Sequence, residues 1–393
     1  MLALIVNPVA GVGGPAGLAG SDGVDVQADA AVRGGLSRAD ARATDALRLV
    51  AAARPGTPVL TAAGAMGEDA ARRAGLEPHV VYTAVSAATT PSDTTAAVRS
   101  AIAAGASLVL FAGGDGTARD VAAAFGDGVP AGGAAALGIP SGVKMYSPVF
   151  AISPSAAGGM AVAWLDGPLP VQEQEVLDID EAQLRRAHVE PRLFGMLPVP
   201  QRAGRTQVRK APTPAGEHAA VVAAAHAAAS LFRPGVRYLL GPGGTMGELG
   251  RRLGLATTAL GVDVVLDGRL VRARASESEL LDEIARGPAK AVVTVIGGQG
   301  FVLGRGNQQL SAAVIRALGP DPLIVVAPEQ KLVDLHGRPL LVDTGDADVD
   351  ASLTGYVRVV TGPGTASLYP VVAPEAAAST PHDNHEEGAL HAT

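Results

Sequence analysis

Through roughly the first 150 residues, short apolar runs alternate with longer stretches that place charge on one side. "LALIVN" (2–7), "TPVLTA" (57–62), "HVVYTAV" (79–85), "SLVLFA" (107–112) and "AALGIP" (135–140) read as buried strands. Strands without a polar face must be covered on both sides. "RADARATDALRLVAAA" (38–53) and "SDTTAAVRSAIAAG" (92–105) supply helices between them, the second with a Ser or Asp cap and a terminal Gly. This alternation predicts an α/β domain over residues 1–150, built on a doubly wound parallel sheet.

From about 170 the texture changes. Residues 170–217 carry charge and prolines, and they read as a β-rich insert ending in a basic loop, "QRAGRTQVRKAPTPAGE" (201–217). Alternation returns over 233–330. "VRYLLGPGG", "VDVVLDGRLV", "AKAVVTVIGG" and "PLIVVAP" are expected strands. "TMGELGRRLG", "SESELLDEIARG" and "NQQLSAAVIRALG" are expected helices. "LLVDTGDADVD" and "GYVRVVTGPG" read as closing strands. The second domain is therefore expected over 151–372, and residues 373–393 as a flexible tail. "LFAGGDGTARDV" and "LLGPGGTMGEL" share the order strand, glycines, Thr, helix; they read either as an internal repeat or as two ordinary α/β loops.

Composition narrows the class. The chain has 393 residues, 48% of them hydrophobic and only 3% aromatic, so its core must be made of Ala, Val, Leu and Ile. A net charge of −7 argues against nucleic acid or an anionic membrane as partner. With no cysteine, disulfides, thiol catalysis and Cys-based zinc sites are excluded. The first residues run straight into a strand, and "AAVVAAAHAAASLF" (219–232) is too short to span a bilayer, so a cytoplasmic location is expected. "HDNHEE" (382–387) is a weak metal candidate in the tail.

"AGGDGTARDV" (112–121) concentrates the chemistry. Gly113, Gly114 and Gly116 let a ligand approach the backbone and tolerate positive φ, and the following helix offers unpaired N–H groups. Together with Thr117 they make a phosphate cradle. Asp115 does not belong in a passive cradle, because a carboxylate repels phosphate. It can organise magnesium or take a proton from an attacking hydroxyl, as phosphoryl transfer requires; the alternative is a helix cap. Asn7 ends the first strand, where α/β sheets place ligands, and reads equally as a turn residue before Pro8. "GGQGFVLGRGNQQ" (297–309) is a second glycine-rich segment. Within it Gly298, Gln299, Arg305 and Asn307 are candidates for substrate binding, Arg as a phosphate clamp and the amides as readers of a base or sugar edge. No Gly directly precedes any lysine as in a Walker A loop, and "GVGGPAG" (11–17) does not meet the dinucleotide fingerprint.

"GGDGT" (113–117) resembles the signature shared by NAD kinases, diacylglycerol-type lipid kinases and 6-phosphofructokinase-like enzymes. "NPVAGVGG" (7–14), "LGIPSGVKMYSPVFA" (137–151), "GPGGTMGEL" (241–249), "IGGQGFVLGRGNQQLS" (296–311) and "RPLLVDTGD" (338–346) look like the ATP-NAD/AcoX-type branch of the NAD kinases. The resemblance implies an ATP- and Mg²⁺-dependent kinase that phosphorylates the 2′-hydroxyl of NAD to give NADP, with its site in a cleft between the two domains. It implies Asp115 as base or metal organiser, and nucleotide contacts from the glycine loop. A homo-oligomer is expected. Ordinary NAD kinases also carry an Asn-Glu or Asn-Asp pair after this helix; here "GIPSGVKMYS" stands instead, with Lys144 as a candidate for the phosphate or the acceptor. Another polyol, sugar or lipid acceptor, polyphosphate as donor, and a non-catalytic nucleotide-binding regulator remain open alternatives.

Overall fold

The fold is that of a computed structural model, which describes residues 1–16, 32, 37–86, 88–126, 133–142, 145–167, 169–178, 192–202, 218–258 and 260–374. Five parallel strands form the first sheet: β1 (Leu2–Val6), β2 (Pro58–Ala62), β3 (Glu77–Tyr82), β4 (Leu108–Gly113) and β5 (Ala135–Pro140). Their order is β3-β2-β1-β4-β5. Every residue of β1, β4 and β5 is buried, as runs without a polar face demand.

Helices α1 (Ala39–Ala53), α2 (Glu68–Arg73), α3 (Pro91–Ala103), α4 (Asp115–Phe125) and α5 (Pro154–Asp166) accompany this sheet. α1 packs with α5, and α3 with α4. The chain winds outward from β1 to β3 and then crosses back to β4 and β5. Right-handed crossovers in opposite directions put the two helix pairs on opposite faces. The loops after β1 and β4 therefore diverge and open a crevice at the carboxyl ends of those strands.

α5 was not marked by any apolar period. Ser153 nevertheless caps it, accepting from the Ala156 N–H at 3.0 Å, and Pro154 occupies its first turn. The expected domain boundary at 150 lies just before this helix, whose Ala156, Ala157, Met160 and Ala161 join the core of the first sheet. β6 (Val171–Asp178) and β7 (Arg192–Pro200) form an antiparallel hairpin that packs on α4 and β5. Their outer residues Leu193, Phe194 and Met196 are exposed.

The second sheet is mixed. It contains β8 (Arg237–Leu240), β9 (Val262–Leu266), β10 (Arg269–Ala275), β11 (Ala289–Thr294), β12 (Phe301–Leu303), β13 (Leu323–Val326), β14 (Leu340–Val342), β15 (Gly355–Gly362) and β16 (Thr365–Val372). The order is β10-β9-β8-β11-β13-β15-β16-β14-β12. Around it lie α6 (His218–Ala229), α7 (Gly244–Arg252), α8 (Glu277–Ala285), α9 (Ala312–Leu318), α10 (Glu329–Val333) and α11 (Ala347–Ser352).

One expectation changes here. The segment 340–350 is not one closing strand: it is strand only at Leu340–Val342, and Asp346 then caps α11 by accepting from the Asp348 and Val349 N–H groups. The alanine-rich run at 219–232 folds mainly as α6, whose small side chains allow it close to β15 and α7. No described helix is long and apolar enough to cross a membrane. Most of the basic stretch at 201–217, the end of the chain with "HDNHEE", and Lys144 lie outside the described residues.

Candidate active site

Asn7 follows β1 and the "GGDGT" loop follows β4, so both border the crevice at the strand-order reversal. The Asn7 backbone N–H donates to the Ala112 carbonyl at 3.0 Å, and its side-chain Nδ2 donates to Thr117 Oγ1 at 2.9 Å. Its Oδ1 accepts from the Val9 N–H at 3.2 Å. Thr117 packs so closely over Gly113 that a Cβ there would lie 2.2 Å from Thr117 Oγ1. Any side chain at 113 would displace that hydroxyl. The Gly113 carbonyl accepts from the Ser141 and Gly142 N–H groups, which ties β4 to the segment after β5. Gly113, Gly114 and Gly116 do not adopt a positive φ, contrary to expectation; Gly114 is extended. Gly11, after β1, does take left-handed backbone, at φ 78°, and a Cβ there would strike the Ser141 carbonyl.

Asp115 is the first residue of α4, and Gly114 is its cap with no side-chain bond. The helix-cap alternative is therefore not what the carboxylate does. It turns instead to residues 146 and 147. Tyr146 N–H donates to Oδ2 at 2.6 Å; Ser147 N–H and the Ser147 hydroxyl donate to Oδ1 at 3.1 and 2.6 Å. Asp115 is 4% exposed. Burial pushes its carboxyl up to about 7 against those three donors, and the charge of Asp178 at the end of β6 adds to the rise. Asp178 is itself paired with Arg119 of α4 at 3.3 Å.

The segment 297–309 reaches the same crevice from the second sheet. Gln299 is buried and donates from Nε2 to the Met145 carbonyl at 3.0 Å. Gln308 donates to the Gly142 carbonyl at 2.7 Å. Arg305 does not project as a clamp into open space. Its guanidinium lies over the Phe301 ring, pairs with Asp343 at 2.8 Å and donates to the Ile152 carbonyl at 2.9 Å. Asn307 staples its own loop, accepting from the Gly304 N–H and donating to the Val302 carbonyl. Gly298, at φ 78°, offers its carbonyl to Arg338.

Sequence reasoning did not single out the cations that line the crevice. Arg38 and Arg42 of the α1 start stand with Gly11, Ser141, Gly304, Gln308 and Asp343 around it. Arg42 pairs with Asp343, and Arg38 donates to the Thr344 carbonyl. Burial alone would raise Asp343, but Arg42 and Arg305 hold it down at about 2. Three arginines thus gather about Asp343, with Glu277 also acting on Arg38. The signal was the aspartate in "RPLLVDTGD", legible only once its partners were known. Among the described residues no three carboxylate or imidazole groups converge on one point, so those side chains do not build a resident metal cage.

A family model described as the ATP-NAD kinase N-terminal domain matches residues 2–168, and one described as the ATP-NAD kinase C-terminal domain matches residues 233–371. Among curated proteins and among solved structures no significant match is found.

Proposed function

The chain belongs to the ATP-NAD kinase family and is a phosphotransferase acting on a hydroxyl group; from that premise we propose that it transfers the γ-phosphoryl group of ATP to the 2′-hydroxyl of NAD, giving NADP. Asp115 is the general base of this reading. One observation carries it: a carboxylate at a glycine-rich helix start is buried, held by three donors and raised to about 7. A base in that range is partly ionised at neutral pH and still accepts a proton strongly. Its Oδ2 accepts one of the three described bonds, which leaves an acceptor position for the attacking hydroxyl.

The first N–H groups of α4, with Gly113, Gly114, Gly116 and Thr117, form the cradle for the donor phosphates. Asn7 anchors that cradle through Thr117. Arg38, Arg42 and Arg305 outnumber Asp343 and Glu277 beside them, and Arg38 and Arg42 at the crevice suit a second phosphorylated group, such as the pyrophosphate of the acceptor. Magnesium enters here as part of the Mg-ATP substrate, where it offsets phosphate charge.

A second reading concerns the acceptor alone. The Asn-Glu or Asn-Asp pair that ordinary NAD kinases use on the acceptor ribose is replaced by "GIPSGVKMYS", and its Tyr146 and Ser147 bind Asp115. That replacement favours a small polyol or sugar hydroxyl as the rival acceptor. Incubation with Mg-ATP and NAD should produce NADP. ADP release with a polyol or sugar, and none with NAD, would transfer the assignment to the second reading. Nucleotide binding without ADP release on any hydroxyl acceptor would overturn both and leave a non-catalytic nucleotide-binding protein.

A further inference from the structure

Asp115 is reached from the second sheet through a single peptide group. The Met145 carbonyl accepts from Gln299 Nε2 at 3.0 Å, and the N–H of that same peptide, on Tyr146, donates to Asp115 Oδ2 at 2.6 Å. Gln299, Met145 and Asp115 are all buried. A donor on a peptide oxygen polarises the amide and strengthens its N–H as a donor, and the effect is largest away from water. Gln299 is delivered by a stiff turn. Gly298 and Gly300 flank it at φ 78° and 82°, the Gly300 N–H donates to the Ile296 carbonyl, and Arg338 holds the Gly298 carbonyl.

We propose that Gln299 is a positioning residue for the phosphoryl transfer: through the Met145–Tyr146 peptide it fixes the carboxylate of Asp115, so that the base is set only when the second sheet is seated on the first. This rests on the reading of Asp115 as base, and it replaces the substrate contact expected of Gln299 from sequence. Among the described residues, the charged groups about Asp115 include Asp178 of β6 and, on α4, Arg119 and Asp120. Arg119 lies 3.3 Å from Asp178 and 3.8 Å from Asp120. Tyr146 and Ser147 donate to it directly, and Gln299 contributes a neutral donor through the Met145 carbonyl.

The test uses the full-length protein and compares wild type with Gln299→Met, which keeps the length but lacks the donor. Gln299→Glu, which adds a charge of the wrong sign, is the second variant. Turnover with Mg-ATP and the working acceptor is measured from pH 5 to 9. Without the polarising donor the carboxylate is less stabilised, so the acidic limb of the kcat profile moves to higher pH. The move is on the order of half a pH unit for Met and larger for Glu, with KM for ATP and acceptor changed less than about twofold. An acidic limb fixed within about 0.1 unit, or a change confined to KM, overturns the proposal. If one variant does not fold, the limb of the other decides; if neither folds, Gln299 is structural and the proposal fails. Asp115→Asn runs alongside. An active Asp115→Asn sinks the base assignment itself, whereas a dead one with an unmoved Gln299→Met limb sinks only the positioning role.

Discussion

Asp115 sits between two opposing demands. Burial favours the protonated acid, while Tyr146 and Ser147 favour the carboxylate, and burial wins. Turnover should therefore rise as pH passes through about 7. Asp115→Asn should lower kcat by roughly 10²–10⁴ while leaving ATP affinity largely in place; a variant with wild-type turnover would remove the base. The same shift has a stability consequence. A carboxyl raised in the folded state binds a proton that the unfolded chain has already lost between about pH 4 and 7. Wild type thus loses stability over that interval, by about 4 kcal/mol at most, and Asp115→Asn lacks this loss. The difference in melting temperature between the two should shift in favour of the variant as pH rises from 4 to 7, and parallel curves would contradict the raised carboxyl. The acid itself stood out in its glycine context. Its partners did not, because they lie 31 and 32 residues further on in a segment with no periodicity. Arg305 misled for a related reason: arginine in a glycine-rich loop suggests phosphate, and nothing local revealed that Asp343 would claim it.

Helix α5 shows how one element sets the approach of another. Gly158 lies in its middle, where alanine would ordinarily gain up to about 1 kcal/mol in helix propensity. A Cβ there would fall 2.3 Å from the Ala46 carbonyl of α1 and 3.0 Å from Leu49 Cβ. A backbone oxygen in a packed helix has little room to yield, and overpacking costs about 1–3 kcal/mol. The clash should win: Gly158→Ala should lower the melting temperature by a few degrees, and an unchanged or raised value would mean that α1 and α5 slide apart freely. The alternation of apolar runs made the strands of the first sheet legible, since a strand buried on both faces needs no other signal. α5 was harder to see, because Ala and Gly on a helix interface carry no amphipathic contrast. The helix at Ala347–Ser352 was hidden in another way: Asp346 and Asp350 read as polar positions of a strand until their capping and loop bonds were visible.

At the scale of the whole molecule, Arg42 of α1, Asp343 after β14 and Arg305 after β12 form a buried ionic bridge between the two sheets. Removing its only acid leaves two arginines facing each other out of water. Asp343→Asn should cost about 3–5 kcal/mol at neutral pH. Because the Asp343 carboxyl is held low, its stabilisation is complete above about pH 4 and fades as pH falls toward 2. Urea unfolding should show the gap between wild type and variant closing over that interval; equal stability at pH 7 would mean the bridge contributes nothing. The two sheets were legible from the two stretches of strand–helix alternation, but the bridge was not, since it joins positions some 300 residues apart. The strand order carries one more consequence. β12 and β14 are hydrogen-bonded to the rest of the second sheet only through β16, the last described strand to leave a ribosome. The first sheet is complete once β5 has emerged and can fold as a unit while translation continues. Asp343 and Arg305 gain their fixed places only after β16 has been made, so a nascent chain carries a finished first sheet without a finished crevice. Assembly of the crevice is thereby deferred until β16 has been made.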